Sequence, residues 1–461
     1  MTGRRYWIRT FGCQMNEHDS QRLAGLFSEQ GMEPAASADE ADLVVFNTCC
    51  VRENADNRLY GHLGELKALK RARPELQIAV AGCLAQKDRE LIQQRAGHVD
   101  VVFGTHNLAH AVDLLERARL EGPVMEIFEE SESFPSALPA RRDVDHAAWV
   151  TIQIGCDNTC AFCIVPAVRG REQSRRLGDI VREVEELAAD GVTEVTLLGQ
   201  NVNSYGRDLG AGQYRPKFAD LLRAVDAVPG IRRIRFTSPH PKDLRPETIA
   251  AMAECETVCE HLHLPLQAGS DRTLARMHRG YTAERYLERL RAARAAVPDL
   301  AVTTDLIVGF PGESEEDFAA TLDVVDEAGY DAAYTFVFSP RPGTEAAAWV
   351  EDFVPAEVTA ERMRRLTEVV ERSALRRHEA RVGRREEVLV EGPSKKDPAM
   401  TTGRTRQNKL VHFRAPDGAG LRPGAFAEVA VDSAAPHFLR GTFVRKTADP
   451  ARRVRIPLAA P

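Results

Sequence analysis

The stretch Trp149-Val150-Thr151-Ile152-Gln153-Ile154-Gly155-Cys156-Asp157-Asn158-Thr159-Cys160-Ala161-Phe162-Cys163 decides the reading of this 461-residue chain. Its apolar half predicts a strand over residues 150–154, and the loop directly behind that strand carries three cysteines. Soft thiolates at this density select iron–sulfur clusters or zinc. Three ligands can hold three irons of a four-iron cubane, leaving the fourth open to an amine and a carboxylate such as those of S-adenosylmethionine. Zinc needs a fourth protein ligand, and this loop offers none.

Downstream of that loop, apolar runs at 195–198, 231–236, 261–264, 302–308 and 334–338 alternate with helical patterns at 178–189, 218–227, 283–296 and 315–327. Six β-α units predict a partial or full parallel barrel, with its chemistry at the carboxyl ends of the strands. Upstream, runs at 6–10, 43–47, 77–81 and 101–103, with amphipathic stretches at 20–30 and 55–69, predict a small parallel α/β domain. After a charged helical connector near 360–381, short alternating runs at 387–390, 410–413, 426–431 and 438–444 predict a small all-β barrel. The expected division is an amino-terminal α/β domain over 1–120, a linker over 121–147 and a barrel core over 148–375. An all-β module over 376–446 and a tail over 447–461 follow, and the class is α/β.

Composition is that of folded globular protein, 43% hydrophobic and 28% charged. The first residues lack the apolar core of a signal peptide and no later stretch is apolar enough to span a bilayer, so a cytoplasmic protein without a membrane partner is expected. An odd total of nine cysteines argues for metal or redox use over disulfides. The net charge is −7, yet the last 81 residues hold 16 Lys and Arg against 8 Asp and Glu. A basic tail on an acidic body points to a polyanionic partner.

A second cysteine set is dispersed but regular: Cys13, Cys49 and Cys83 each follow one of the first three predicted strands. Parallel strand ends open onto one crevice, so these thiolates can converge on a second cluster. Gly12 and Gly82, just before two of them, would let the backbone approach a bulky inorganic group. Cys50 neighbours Cys49 on an extended chain and is expected to point away. Cys255 and Cys259, four apart, are read as buried packing on a shared helical face.

These residues together resemble the methylthiotransferase branch of the radical S-adenosylmethionine superfamily, over nearly the whole chain, with the terminal module similar to a TRAM barrel. The likeness rests on Gly12-Cys13-Gln14-Met15-Asn16, Asn47-Thr48-Cys49-Cys50-Val51-Arg52-Glu53, Cys163-Ile164-Val165-Pro166-Ala167-Val168-Arg169-Gly170-Arg171-Glu172 and Gly403-Arg404-Thr405-Arg406-Gln407-Asn408. It implies a radical-forming 4Fe–4S cluster on Cys156, Cys160 and Cys163 and an auxiliary 4Fe–4S cluster on Cys13, Cys49 and Cys83. It also implies S-adenosylmethionine near Gln200, Asn203, Gln267, Ser270, Asp305 and Gly309, in loops that follow barrel strands. The implied reaction is methylthiolation at C2 of N6-isopentenyladenosine next to the anticodon of tRNA, with an electron donor of flavodoxin or ferredoxin type and a sulfur donor. Sister enzymes act on threonylcarbamoyl-adenosine in tRNA or on a ribosomal protein. Arg404, Arg406, Lys409, Arg440, Arg445 and Lys446 are the candidate RNA contacts, since phosphates reward basic side chains. A rival of another class is a non-catalytic RNA-binding protein whose cysteines hold structural metal.

Overall fold

The computed structural model describes residues 3–50, 53–129, 138–210, 215–416 and 418–451. Val51 and Arg52, part of the expected linker and most of the expected tail therefore lie outside the described residues. The chain forms two compact units: Met1–Asp143 with Ile154–Gln173 and Ser339–Ala347, and Val144–Gln153 with Ser174–Phe338 and Ala348–Pro461.

The first unit is built on β1 (Arg5–Thr10), β2 (Glu33–Pro34), β3 (Leu43–Thr48), β4 (Gln77–Gly82), β5 (Val101–Phe103) and β6 (Val124–Glu126). All pair in parallel, in the order β2-β1-β3-β4-β5-β6. β3 and β4 are buried at every residue, which their continuous apolar runs demand of central parallel strands. One face packs on Leu23 and Phe27 of α1 (Gln14–Glu29) and Leu114 and Leu115 of α5 (Ala111–Glu121). The other packs on α2 (Glu53–Ala72), α3 (Cys83–Asp88), α4 (Glu90–Arg95) and α6 (Val165–Arg169) through Leu59, Leu63, Leu84, Ile92, Ile164 and Val168. The strand order reverses between β1 and β3, where an open α/β sheet leaves a crevice at its carboxyl edge. Two features depart from the expected division. β6 extends the sheet into the segment read as linker, and the loop bearing Cys156, Cys160 and Cys163 belongs to this unit rather than to the barrel core.

The second unit begins with β7 (Ala147–Thr151), with the two-residue strands β8 (Gln153–Ile154) and β9 (Gln173–Ser174) flanking the cysteine loop. β10 (Glu194–Leu198) and β11 (Arg233–Phe236) complete one parallel sheet with β7. β12 (His261–His263), β13 (Ala301–Val308) and β14 (Ala332–Val337) form another, and a parallel bridge from Ile234 to Val258 links the two. With α7 (Leu177–Ala189), α8 (Phe218–Asp226), α9 (Pro246–Glu254), α10 (Asp271–Arg276), α11 (Ala283–Ala296) and α12 (Glu315–Ala328) this is the expected six-stranded partial barrel. Alternation along β13 sets Thr303, Asp305 and Ile307 on the partly exposed inner face and Val302, Thr304, Leu306 and Val308 under the helices.

The long α13 (Ala356–Glu379) leads to β15 (Arg385–Pro393), β16 (Thr401–Arg404), β17 (Leu410–Arg414), β18 (Phe426–Ala435) and β19 (Phe438–Ala448). They close into a barrel, β15-β16-β17-β19-β18, around Val388, Val411, Phe413, Ala427 and Val429. Four of its five strands are the predicted ones; β16 is additional. Among the described residues no helix is long and apolar enough to cross a membrane.

Candidate metal centres

Cys13 caps α1 after β1, Cys49 follows β3, and Cys83 opens α3 after β4. The three therefore share the carboxyl edge of the sheet at its point of reversal, as their sequence positions predict. Asn16, one turn into α1, is the bracket between them. Its Oδ1 receives Cys13 Sγ at 3.5 Å and Cys83 Sγ at 3.9 Å, while its Nδ2 donates to Thr48 O at 3.0 Å. Asn47 locks the bracket by donating to Asn16 O at 2.7 Å.

The room left by Gly12 is taken by the Cys49 side chain. A Cβ at Gly12, whose φ is +126°, would stand 2.2 Å from Cys49 Cβ. Gly12→Ala is accordingly expected to displace Cys49 and halve the iron of the reconstituted protein, from about eight to about four per chain. Iron analysis beside a circular-dichroism control for folding checks it.

Cys50 departs from expectation. β3 ends at Thr48 and the chain bends at Cys50, so strand alternation no longer applies and the Cys50 thiol meets that of Cys83. The hydrogen bond with Cys83, then burial, pushes the Cys50 thiol up; that bond, opposed by burial and helped by Arg169, draws Cys83 down. Cys13 is drawn down to about 6, chiefly by a hydrogen bond from Cys49, against burial and with Arg169 adding. Thiols whose pKa is lowered in this way suit iron–sulfur ligation. Among the described residues no His, Cys, Asp and Glu side chains close around a point as the ligands of a single ion would. The ligands of a cubane stand apart, one to each iron.

The second triad sits on a loop tied back on itself. Cys156 N donates to Gly170 O at 3.1 Å, Cys163 N to Cys160 O at 3.0 Å, and Glu172 N to Asp157 Oδ1 at 3.1 Å. Ile164 and Val168 root it in the apolar cluster that also holds Cys50 and Cys83. Burial pushes the Cys156 thiol up to about 11, with Glu172 adding to the effect. Both triads are therefore mounted in one unit, and Arg169, at the end of the helix that follows the second triad, meets Asp19 and Asn16 beside the first. Asn16 and Arg169 stand in quoted motifs, but nothing local in the sequence marks the pairing of Arg169 with Asp19 across 150 positions.

In the second unit the expected S-adenosylmethionine residues divide. Gln200 Oε1 is buried without a partner among the described residues, as are Asn201 Oδ1 and Gln153 Oε1, which sequence reasoning missed. Acceptors of this kind at strand ends suit an ammonium donor. Asp305 lies 3.4 Å from His263 on the inner face, where Tyr334, 57% exposed, stacks edge-on against His263. Gln267 holds a left-handed backbone, φ +73°, while pairing through N–H and C=O with Asp305 and Ile307; such strain in a non-glycine residue marks functional positions. Asn203 and Ser270 are engaged within the protein. The Asn203 amide is committed at both ends to the backbone of His240, and Ser270 caps α10 and bonds Asp317. Gly309 is a turn residue whose missing Cβ makes way for Thr359.

Two of the expected RNA contacts are likewise engaged within the protein. Lys409 is 4% exposed and its Nζ is 2.6 Å from Asp331 Oδ1; Arg406 clamps Glu260 and the carbonyls of Glu256 and Val258. With Arg233 and Arg235 donating to the carbonyls of Arg404, Thr405 and Arg406, this motif fastens the small barrel to the amino ends of the core strands. Lys409→Met strips Asp331 of its buried counter-charge and is expected to cost about 3–5 kcal/mol in urea unfolding. Arg440, Arg445 and Lys446 stay exposed, and Arg404 is half-buried beside Glu391.

Comparisons with known proteins match this build. A family profile described as Radical SAM superfamily covers residues 150–325, one described as TRAM domain covers 379–444, and one described as Uncharacterized protein family UPF0004 covers 5–104. The TsrM radical S-adenosylmethionine methyltransferase of Kitasatospora setae superposes with a TM-score of 0.54 at 14% identity, over 75% of each chain, which speaks for the fold. A protein of Acidothermus cellulolyticus named tRNA-2-methylthio-N(6)-dimethylallyladenosine synthase is 57% identical over 440 residues, covering 95% of this chain and 87% of its own length. One of the same name from Frankia alni is 55% identical over 443 residues, with 95% and 88% coverage. Fold and cysteines thus define a radical S-adenosylmethionine enzyme. The chain belongs to the family of tRNA-2-methylthio-N(6)-dimethylallyladenosine synthases.

Proposed function

We propose that the chain replaces the C2 hydrogen of N6-dimethylallyladenosine, next to the anticodon of tRNA, by a methylthio group. The observation that carries this reading is the convergence of Cys13, Cys49 and Cys83 at the sheet's point of reversal, in the same unit as the Cys156 loop. A second thiolate set exceeds what splitting S-adenosylmethionine requires and suits a site that delivers sulfur. Cys156, Cys160 and Cys163 would hold the radical-forming 4Fe–4S cluster, and Cys13, Cys49 and Cys83 the auxiliary one. Once bound, the clusters and S-adenosylmethionine supply the radical and sulfur chemistry that an unactivated carbon–hydrogen bond demands.

The chain's own groups prepare that chemistry. Asn16 holds the Cys13 and Cys83 side chains in place and Arg169 anchors Asn16, while Gln153, Gln200 and Asn201 offer acceptors to the S-adenosylmethionine ammonium. His263, Asp305 and Tyr334 furnish a polar and aromatic inner face for an adenine splayed out of its loop. Arg440, Arg445 and Lys446 give the small barrel a basic rim for phosphates. A low-potential electron donor of flavodoxin or ferredoxin type and a sulfide source complete the reaction, in the cytoplasm where tRNA resides.

The test is anaerobic reconstitution. About eight irons per chain and conversion of dimethylallyladenosine-bearing tRNA to its 2-methylthio form are expected. Zinc in place of iron, or modification of threonylcarbamoyl-adenosine instead, would contradict the reading.

A further inference from the structure

Arg169 closes α6, six residues after Cys163, yet its guanidinium ends among the other triad. It is 6% exposed, its Nη2 is 2.8 Å from Asp19 Oδ2, and it donates to Asn16 Oδ1 at 3.3 Å. That oxygen is the one that receives Cys13 Sγ and Cys83 Sγ. A buried Arg–Asp pair alone seldom improves on an apolar pair of the same volume, because both ions lose their hydration. Its place here has to be explained by what else the cation faces, and that is a group of thiols.

We propose that Arg169 is a positioning residue whose fixed positive charge, buried beside the Cys13 and Cys83 side chains, raises the reduction potential of the auxiliary cluster they would hold. The proposal rests on the auxiliary-cluster reading above. A cluster on three thiolates gains negative charge on reduction, so a cation buried beside it stabilises the reduced form more than the oxidised one. Asp19, paired with the same Nη2 that donates to Asn16, partly offsets that field. Substitutions at the two residues must therefore move the potential in opposite directions, which loss of packing would not do.

The experiment uses a full-length parent carrying Cys156→Ala, Cys160→Ala and Cys163→Ala, so that only the auxiliary cluster can form. Iron content and the midpoint potential of its electron-paramagnetic-resonance signal are read after reconstitution. Arg169→Met should lower the midpoint by at least about 59 mV, a tenfold change in the oxidised-to-reduced ratio for a one-electron couple. Arg169→Lys, which keeps the charge, should stay near the parent, and Asp19→Asn should shift upward. An Arg169→Met protein with full iron and the parent's midpoint would overturn the proposal. If Arg169→Met holds no iron, Asp19→Asn decides: an upward shift supports the role, and an unchanged or lower midpoint refutes it. A parent that binds no iron refutes the auxiliary-cluster reading itself, and the iron count separates that failure from an unmoved potential.

Discussion

Replacement of Cys156, Cys160 and Cys163 by Ala is expected to abolish cleavage of S-adenosylmethionine and, with it, methylthiolation, both falling to the rate without enzyme. Iron should fall by half, to about four per chain. The fold should survive, because the loop is held by main-chain bonds from Cys156 to Gly170 and from Cys163 to Cys160, and by Ile164 and Val168 in the core. None of these contacts uses a thiol. Chromatographic assay of 5′-deoxyadenosine, beside iron analysis, checks the result; cleavage that persisted would place the radical-forming cluster elsewhere.

The complementary change, Cys13→Ala with Cys49→Ala and Cys83→Ala, is expected to separate the two halves of the reaction. Cleavage of S-adenosylmethionine should continue within about threefold of wild type, since the Cys156 loop keeps its own anchors, while the methylthio product disappears. Iron should again fall by half. The triple variant leaves Arg169 and Asp19 paired, so the crevice keeps a neutral pair rather than an unmatched cation. Product formation at the wild-type rate would show that sulfur reaches the substrate without this thiolate set.

The two triads were legible in the sequence for different reasons. The 156–163 loop is local, and its spacing alone selects the chemistry. The other set became visible only once each cysteine was seen to follow a strand, and the continuous burial of β3 and β4 made those strands easy to find. What escaped depends on partners distant in the chain. Lys409 and Arg406 look like surface charges until Asp331 and Glu260 are brought against them. Arg169 looks like a motif residue without a task until Asp19 and Asn16 arrive from α1. Cys50 was misjudged by extending strand alternation two residues past the strand's end. The missed strands β2, β6 and β16 are two to four residues long, too short for alternation to register, and β16 contains Gly403.

The most direct measurement of the central claim is nucleoside mass spectrometry on tRNA from cells lacking this gene and any paralogue, with and without a plasmid copy. In the deletion strain 2-methylthio-N6-dimethylallyladenosine should vanish and N6-dimethylallyladenosine accumulate, and the plasmid should restore the first. Its persistence in the deletion strain would contradict the assignment.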